Sequence, residues 1–409
     1  MSRINPERLL ADLRTLRGFG AHANGVVRPT LSPVDMRSRA WLMERMRDAG
    51  LQAQMDGVSN VFGRSPNAGS ALLLGSHSDT QPRGGWLDGA LGVIYGLEVA
   101  RALLETPETA DLAVDAASLA DEEGTFLGCL GSRSLCSVLD EAAFAAARNA
   151  DGLSLTQALA DAGLADTPRA TLDLGRYVGY LEAHIEQGPY LEEQGNQIGV
   201  VTSIVGIRGC TVRFVGEQNH AGTTPMDRRK DAGVALFEFA ARLRAEFQGL
   251  AGERTVWTIG QATLSPGAPS IIPGAAQLLL QFRDPQDDRL QAMQQAVYEL
   301  AASMHATGPV AVSVEANREP IHPTIMDESL QSHLAAAAAL RTPKAWVKMP
   351  SAAGHDPMVL AHHLPCAMLF IPSIRGISHD FAEDSHDADI VAGCEVLADA
   401  VVSILRSHG

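Results

Sequence analysis

Along the chain, apolar residues first recur at helical spacing and then gather into short unbroken runs. Asn5 followed by Pro6 marks a helix start, and "RLLADLRTL" places its leucines on one helical face. "DMRSRAWLMERMRDAG" gives a second amphipathic helix, ended by Gly50. Beyond it, aliphatic runs alternate with helical patterns: "SALLLGS", a helix over 89–105, "LAVDAASLA", an alanine-rich helical stretch and "YVGYLEA". That alternation predicts an α/β domain whose sheet is mixed, largely parallel and flanked by helices.

From about residue 206 the rhythm changes. "GCTVRFVG" reads as a strand, "KDAGVALFEFAARLRAEF" as a helix, "TVWTIGQATL" and "AAQLLLQFRD" as strands, "DRLQAMQQAVYELAASM" as a helix and "VAVSVEAN" as a strand. The β-α-β-β-α-β order is that of a ferredoxin-like split unit. Residues 206–319 are therefore expected to form an inserted domain, and 1–205 with 320–409 the main one. After the insertion come a helix, the strand "CAMLFIP" and the closing helix "DIVAGCEVLADAVVSIL".

Composition narrows the function classes. A formal net charge of -16 disfavours nucleic acid and anionic membrane surfaces as partners. The 5 cysteines are scattered without CxxC spacing, so neither a disulfide framework nor a thiolate metal site is expected. The first 20 residues lack a continuous apolar core, and no run is long enough to span a bilayer; a cytoplasmic protein is expected.

In open α/β sheets, ligands bind beyond the carboxyl ends of the strands. Four such ends carry metal-ligand residue types. "ALLLGSHSD" ends in His77 and Asp79, "LAVDAASLADEEG" in Asp121, Glu122 and Glu123, and "YVGYLEAHIEQG" in His184 and Gln187; "CAMLFIPSIRGISHD" leads to His379. Imidazoles and carboxylates without thiolates suit zinc or manganese, with cobalt and nickel as alternatives. A two-metal arrangement follows. Asp88 bridges, although it could equally cap the next helix; His77 and His184 serve one ion, Glu123 and His379 the other. Glu122 is left as the general base, and Asp79, two residues after His77, as the acceptor that orients its imidazole.

"GSHSDTQPRGGWLDGALGV", "DEEG", "LEAHIEQGPYLEEQGNQIGVVTSIVG", "NHAGTTPMDRRKDA", "PGAPSIIPG", "FRDP", "GHDPM" and "GISHDFAE" together resemble the hydantoinase/carbamoylase branch of the M20 metallopeptidase-like superfamily. The resemblance runs nearly end to end. It implies the same five metal ligands and the same base. It further implies that Gln187 contacts the ureido group, that His220 donates to the oxyanion, that Arg283 binds the substrate carboxylate, and that Ser270, Gly354 and His355 line the substrate site. Ser270 stands where many relatives have Asn, and "GTFLGCLGSRS" and "SHDFAEDS" also depart from the usual pattern.

What the resemblance implies is an amidohydrolase acting on linear amide or amidine C–N bonds. It would hydrolyse the carbamoyl group of an N-carbamoyl amino acid to ammonia, carbon dioxide and the amino acid. Allantoate or another ureido acid is the alternative, and a dipeptide or N-acyl amino acid a weaker one. The inserted domain would act as a lid and as the interface of a homodimer. Other hydrolase designs lack their motifs: among 13 histidines there is no HxH and no HExxH, and no G-x-S-x-G occurs.

Overall fold

The computed structural model describes residues 4–317 and 319–408; residues 1–3, 318 and 409, which fall within the expected domain spans, lie outside it. The chain divides into two compact units, Met1–Thr202 with Ile325–Gly409, and Ser203–Thr324. The seams fall at 202/203 and 324/325, not at the expected 205/206 and 319/320.

Seven of the nine strands of the main sheet run in the order Ile198–Ile204, Cys366–Ile371, Tyr177–Ile185, Ala71–His77, Ala113–Leu119, Val61–Arg64, Gln52–Met55, and the short strands Thr324–Ile325 and Trp346–Ser351 pair with the first of them. The four strands from Cys366–Ile371 to Ala113–Leu119 are mutually parallel. Their neighbours on either side are antiparallel. Ala71–His77 and Ala113–Leu119 are buried at every position, as expected of strands covered on both faces. The parallel strands end at His77, Leu119, Ile185 and Ile371, on one edge.

Helix Ala90–Glu105 is buried from Ala90 through Leu103, with the helices Pro6–Gly18 and Asp387–Ser407 packed on it. Asn5 caps the first of these by accepting from the Arg8 N–H at 3.0 Å. The Ala90–Glu105 helix has no side-chain cap. Its N-cap is Gly89, so Asp88 keeps both carboxylate oxygens for the site.

The smaller unit is a four-stranded antiparallel sheet in the order Val256–Ser265, Ala275–Asp284, Gly206–Val215, Ala311–Ala316. Helices Ala232–Leu250 and Asp287–Thr307 pack on it, and Phe214, Phe239, Phe247 and Phe282 fill the space between. Phe247 meets Phe282 edge to face at 5.4 Å.

Candidate metal centre

His77 closes its strand. Its Nδ1 donates to the main-chain oxygen of Asp79 at 3.0 Å, and its Nε2 lies 3.7 Å from Asp88 Oδ1. His184 Nδ1 donates to the Ile185 carbonyl at 2.9 Å; its Nε2 accepts from the Gly89 N–H at 3.1 Å and stands 3.1 Å from the same Asp88 oxygen. A carbonyl can only accept, so both rings carry a proton on Nδ1 and turn Nε2 toward the carboxylate. Lone pairs facing each other there repel unless a proton or a cation lies between. His379 adds a third Nε2, 3.2 Å from Asp88 Oδ2 and 3.7 Å from Glu123 Oε1. Those two carboxylate oxygens are buried and receive no hydrogen bond. Gly89, at φ +65°, permits the close turn: a Cβ there would fall 2.4 Å from His77 Nε2.

The acidic loop is held from behind. Asp79 Oδ1 accepts from the Asp121 N–H at 3.1 Å and Oδ2 from the Glu123 N–H at 3.3 Å, whereas its carboxylate stays 4.0 Å from His77 Nδ1. The expected role of Asp79 is thereby corrected. Its main-chain oxygen orients the imidazole, because the side chain is spent on fixing the loop. Asp121, at φ +58°, accepts from the N–H groups of Thr125, Phe126 and Leu127 at 2.7, 2.9 and 2.7 Å, which winds the short following segment tightly around it.

Acids outweigh bases here. Burial, followed by the neighbouring Asp356, Glu123 and Asp88, pushes the Glu122 carboxyl well above its usual range. Burial and Asp88 push Glu123 up to about 8. Burial would also raise Asp88, but the His184, His379 and His77 imidazoles beside it prevail and hold it well below the usual range. Asp88 in turn raises His379 to about 9, and raises His184 to about 9 against the opposing effect of burial. His77 is lowered by burial despite Asp79 and Asp88. His77, Asp88 and His184 form one group with ligand atoms within 4.8 Å of one another, and Asp88, Glu123 and His379 a second. Either could hold a divalent cation, with Asp88 common to both.

Gln187, at φ +58°, turns its amide into the same place, donating to Ser378 Oγ at 3.1 Å and to Asp88 Oδ1 at 3.4 Å. His355 lies beside His184. It is 1% exposed, bonded to Ser351 Oγ at 3.0 Å and stacked edge-on against His184 at 4.5 Å, so it offers a ligand almost no surface. It backs His184 because its side chain points into the core, while Gly354 is exposed. The remaining expected contacts belong to the smaller unit. There the Asn219–His220 strand pairs with Ile271–Ile272, and the Ala221 N–H donates to the Ser270 carbonyl at 3.0 Å. His220 Nδ1 accepts from the N–H groups of Gly222 and Thr223 at 3.0 and 3.2 Å, which puts its proton on Nε2. Arg283 donates to Gln281 Oε1 from Nε and Nη2, at 3.1 Å each.

Several residues at the centre escaped the sequence reading. Arg39, fully buried, pairs with Asp35 at 2.9 Å and reaches to 3.9 Å from Asp79. Glu182, two residues before His184, accepts from Ser76 Oγ at 2.9 Å and Tyr180 Oη at 2.8 Å; with His184 and His355 it forms a third, fully buried group of ligand atoms. Gln81 donates to Glu123 Oε2 at 2.7 Å. The i, i+4 spacing of Asp35 and Arg39 was the one available signal.

The model of peptidase family M20/M25/M40 matches residues 73–403. An amidase of the hydantoinase/carbamoylase family from Burkholderia phymatum, known from its crystal structure, is 53% identical, with TM-score 0.95 and coverage of 100% of this chain and 99% of that one. An N-carbamoyl-L-amino acid amidohydrolase from Geobacillus stearothermophilus is 33% identical over 99% of this chain and 100% of its own length. An allantoate amidohydrolase from Bacillus subtilis is 31% identical over 95% of each chain. Matched over most of its length by the family model, the chain belongs to the M20/M25/M40 peptidase family, in its hydantoinase/carbamoylase amidase branch.

Proposed function

We propose that the protein hydrolyses the carbamoyl C–N bond of an N-carbamoyl amino acid, releasing ammonia, carbon dioxide and the amino acid. The observation that carries this is the convergence of three imidazole Nε2 atoms on the two oxygens of Asp88, with Glu122 and Glu123 beside them. The substrate class comes from the named activities of the full-length relatives.

His77, Asp88 and His184 would hold one divalent ion, and Asp88, Glu123 and His379 the other; zinc or manganese suits the donors, with cobalt and nickel as alternatives. Such a pair supplies Lewis acidity toward the ureido carbonyl and makes a water molecule acidic enough to act at neutral pH. Glu122, 3.8 Å from His77 Nε2 and raised by burial, is suited to take a proton from the attacking water and return it to the departing nitrogen. Gln187 presents its amide to the ureido group. His220, with its proton on Nε2, is a ready donor to an oxyanion, and the Arg283 guanidinium suits a carboxylate. Ser270 is assigned beside the carboxylate on the resemblance alone, as are the lid role of the smaller unit and a homodimer through it. Among the described residues no helix is long and apolar enough to cross a membrane.

The test follows ammonia release by protein supplied with zinc or manganese. The panel holds N-carbamoyl-α-amino acids, N-carbamoyl-β-alanine and allantoate, with dipeptides run alongside for free amine. Ammonia from an N-carbamoyl amino acid, absent in Glu122→Gln, is expected. Ammonia from allantoate alone would move the substrate within the branch. Amine from dipeptides without ammonia from any ureido acid would overturn the reading.

A further inference from the structure

Two of the three imidazoles around Asp88 are anchored by regular structure, and the third is not. His77 and His184 lie in strands and donate through Nδ1 to main-chain carbonyls at 3.0 and 2.9 Å. His379 sits in a loop at φ +54°, its side chain half-exposed, and no acceptor among the described residues holds its Nδ1. Its placement must come from the loop itself.

One buried carboxylate ties that loop to the main chain of the Asp88 turn. Glu383 is 1% exposed. Its Oε1 accepts from the N–H groups of Leu87 and Asp88 at 3.1 and 3.0 Å, and its Oε2 accepts from Ser378 Oγ at 2.8 Å. One end grips the main chain of Asp88, and the other grips the residue next to His379. Gly85 makes room: a Cβ there would fall 1.8 Å from the Glu383 carboxyl group. Trp86 Nε1 donates to Asp384 Oδ1 at 3.2 Å, a second tie between the same two loops, and Ser385 Oγ donates to the Pro372 carbonyl at 2.7 Å, which closes the base of the His379 loop.

We propose that Glu383 is a positioning residue that locks the Asp88 turn to the His379 loop and so builds the Asp88–Glu123–His379 group as a cation site. The inference rests on the metal-dependent reading above. It assigns Glu383 a geometric task, distinct from those of a ligand or a proton carrier. Gln can perform it, because its Oε1 accepts the same two N–H groups while its Nε2 donates to Ser378 Oγ. Ala cannot.

The experiment titrates metal-free protein with Zn2+ alone, counts the ions bound by chelator competition, and records circular dichroism and thermal melting for each variant. The wild type should bind two ions. Glu383→Ala should keep one near wild-type affinity and bind the other about 10- to 100-fold more weakly, the range set by other residues that orient metal ligands. Glu383→Gln should restore both. Gly85→Ala, which pushes the carboxylate aside, should reproduce the Ala loss. Should Glu383→Ala fail to fold, Ser378→Ala takes its place and should weaken the same ion to a smaller degree. Two ions bound as in the wild type by the folded Ala variants would overturn the proposal, and so would a Gln variant as impaired as Ala. A wild type that binds no pair of ions would instead overturn the metal reading itself.

Discussion

Two buried carboxylate clusters occupy opposite ends of the same sheet. At the amino ends of the parallel strands, Asp115 accepts from Arg176 Nε and Nη2 at 2.8 Å each, from Tyr177 Oη at 2.9 Å and from the Ser65 N–H at 2.8 Å. One acid meets one permanent cation, and each of its oxygens has donors. At the carboxyl ends, Asp88, Glu122 and Glu123 face only the titratable imidazoles of His77, His184 and His379, and Asp88 Oδ2 and Glu123 Oε1 receive no hydrogen bond. The first cluster is complete as folded and holds strands together. The second has no permanent cation paired with its acids among the described residues, a charge balance that suits a site able to take up cations.

The largest contrast is in activity. Glu122→Gln should lower turnover about 10²- to 10⁴-fold, the usual share of a general base, while the thermal midpoint of the metal-free protein holds, because burial already favours the uncharged form of that carboxyl group. A proportional loss of stability and activity would give Glu122 a role like that of Asp115. Conversely, Asp115→Ala should cost about 3–5 kcal/mol in denaturant unfolding, since it strands a buried guanidinium. Turnover per folded molecule should stay at the wild-type level.

The pH dependence of the metal-free protein sharpens the comparison. Glu123, held at about 8, and His184 and His379, held at about 9, bind their protons more tightly in the folded chain than at their ordinary values of 4.5 and 6.5. Their contribution to stability is therefore full below those ordinary values and is lost as pH rises through 8 to 9. His77 and Asp88, both lowered, act mainly at lower pH. Thermal midpoints of metal-free protein should fall between pH 7 and 9, and added Zn2+ should flatten that fall. A flat metal-free profile would mean that the site already has its charge balanced. The smallest expected effect is at the other end: Tyr177→Phe removes one donor to Asp115 and should cost about 1.5–3 kcal/mol, the range for a hydrogen bond to a charged group, with no change in metal binding.

Much of the site was legible because parallel strands deliver their last residues to one edge, so His77, the 121–123 acids and His184 could be placed together from local patterns alone. The tertiary supports were not. Arg39 reaches Asp79 from a helix 40 positions upstream, where its spacing from Asp35 announces a helical ion pair but not this contact, and Glu383 touches Asp88 across 295 positions with no local pattern to announce it. Asp79 shows a subtler limit. Residue spacing places it beside His77 but does not decide whether carboxylate or carbonyl makes the bond. In the fold, the buried strands stood out, whereas Gln52–Met55, with its two glutamines and half-exposed positions, and Val61–Arg64, broken by Gly63, carry too little apolar signal. The core strand Ala275–Asp284 alternates buried and partly buried positions along its length, so its period was plain.

The central claim is that the Asp88 cluster is short of positive charge and is completed by two divalent cations. Calorimetric titration of metal-free protein with Zn2+, wild type beside Asp88→Asn, tests it most directly. Two ions per wild-type chain, with both sites weakened together in Asp88→Asn because that carboxylate is common to them, is the expected result. Wild-type protein that binds no ion, or an Asp88→Asn variant that binds two as the wild type does, would contradict it.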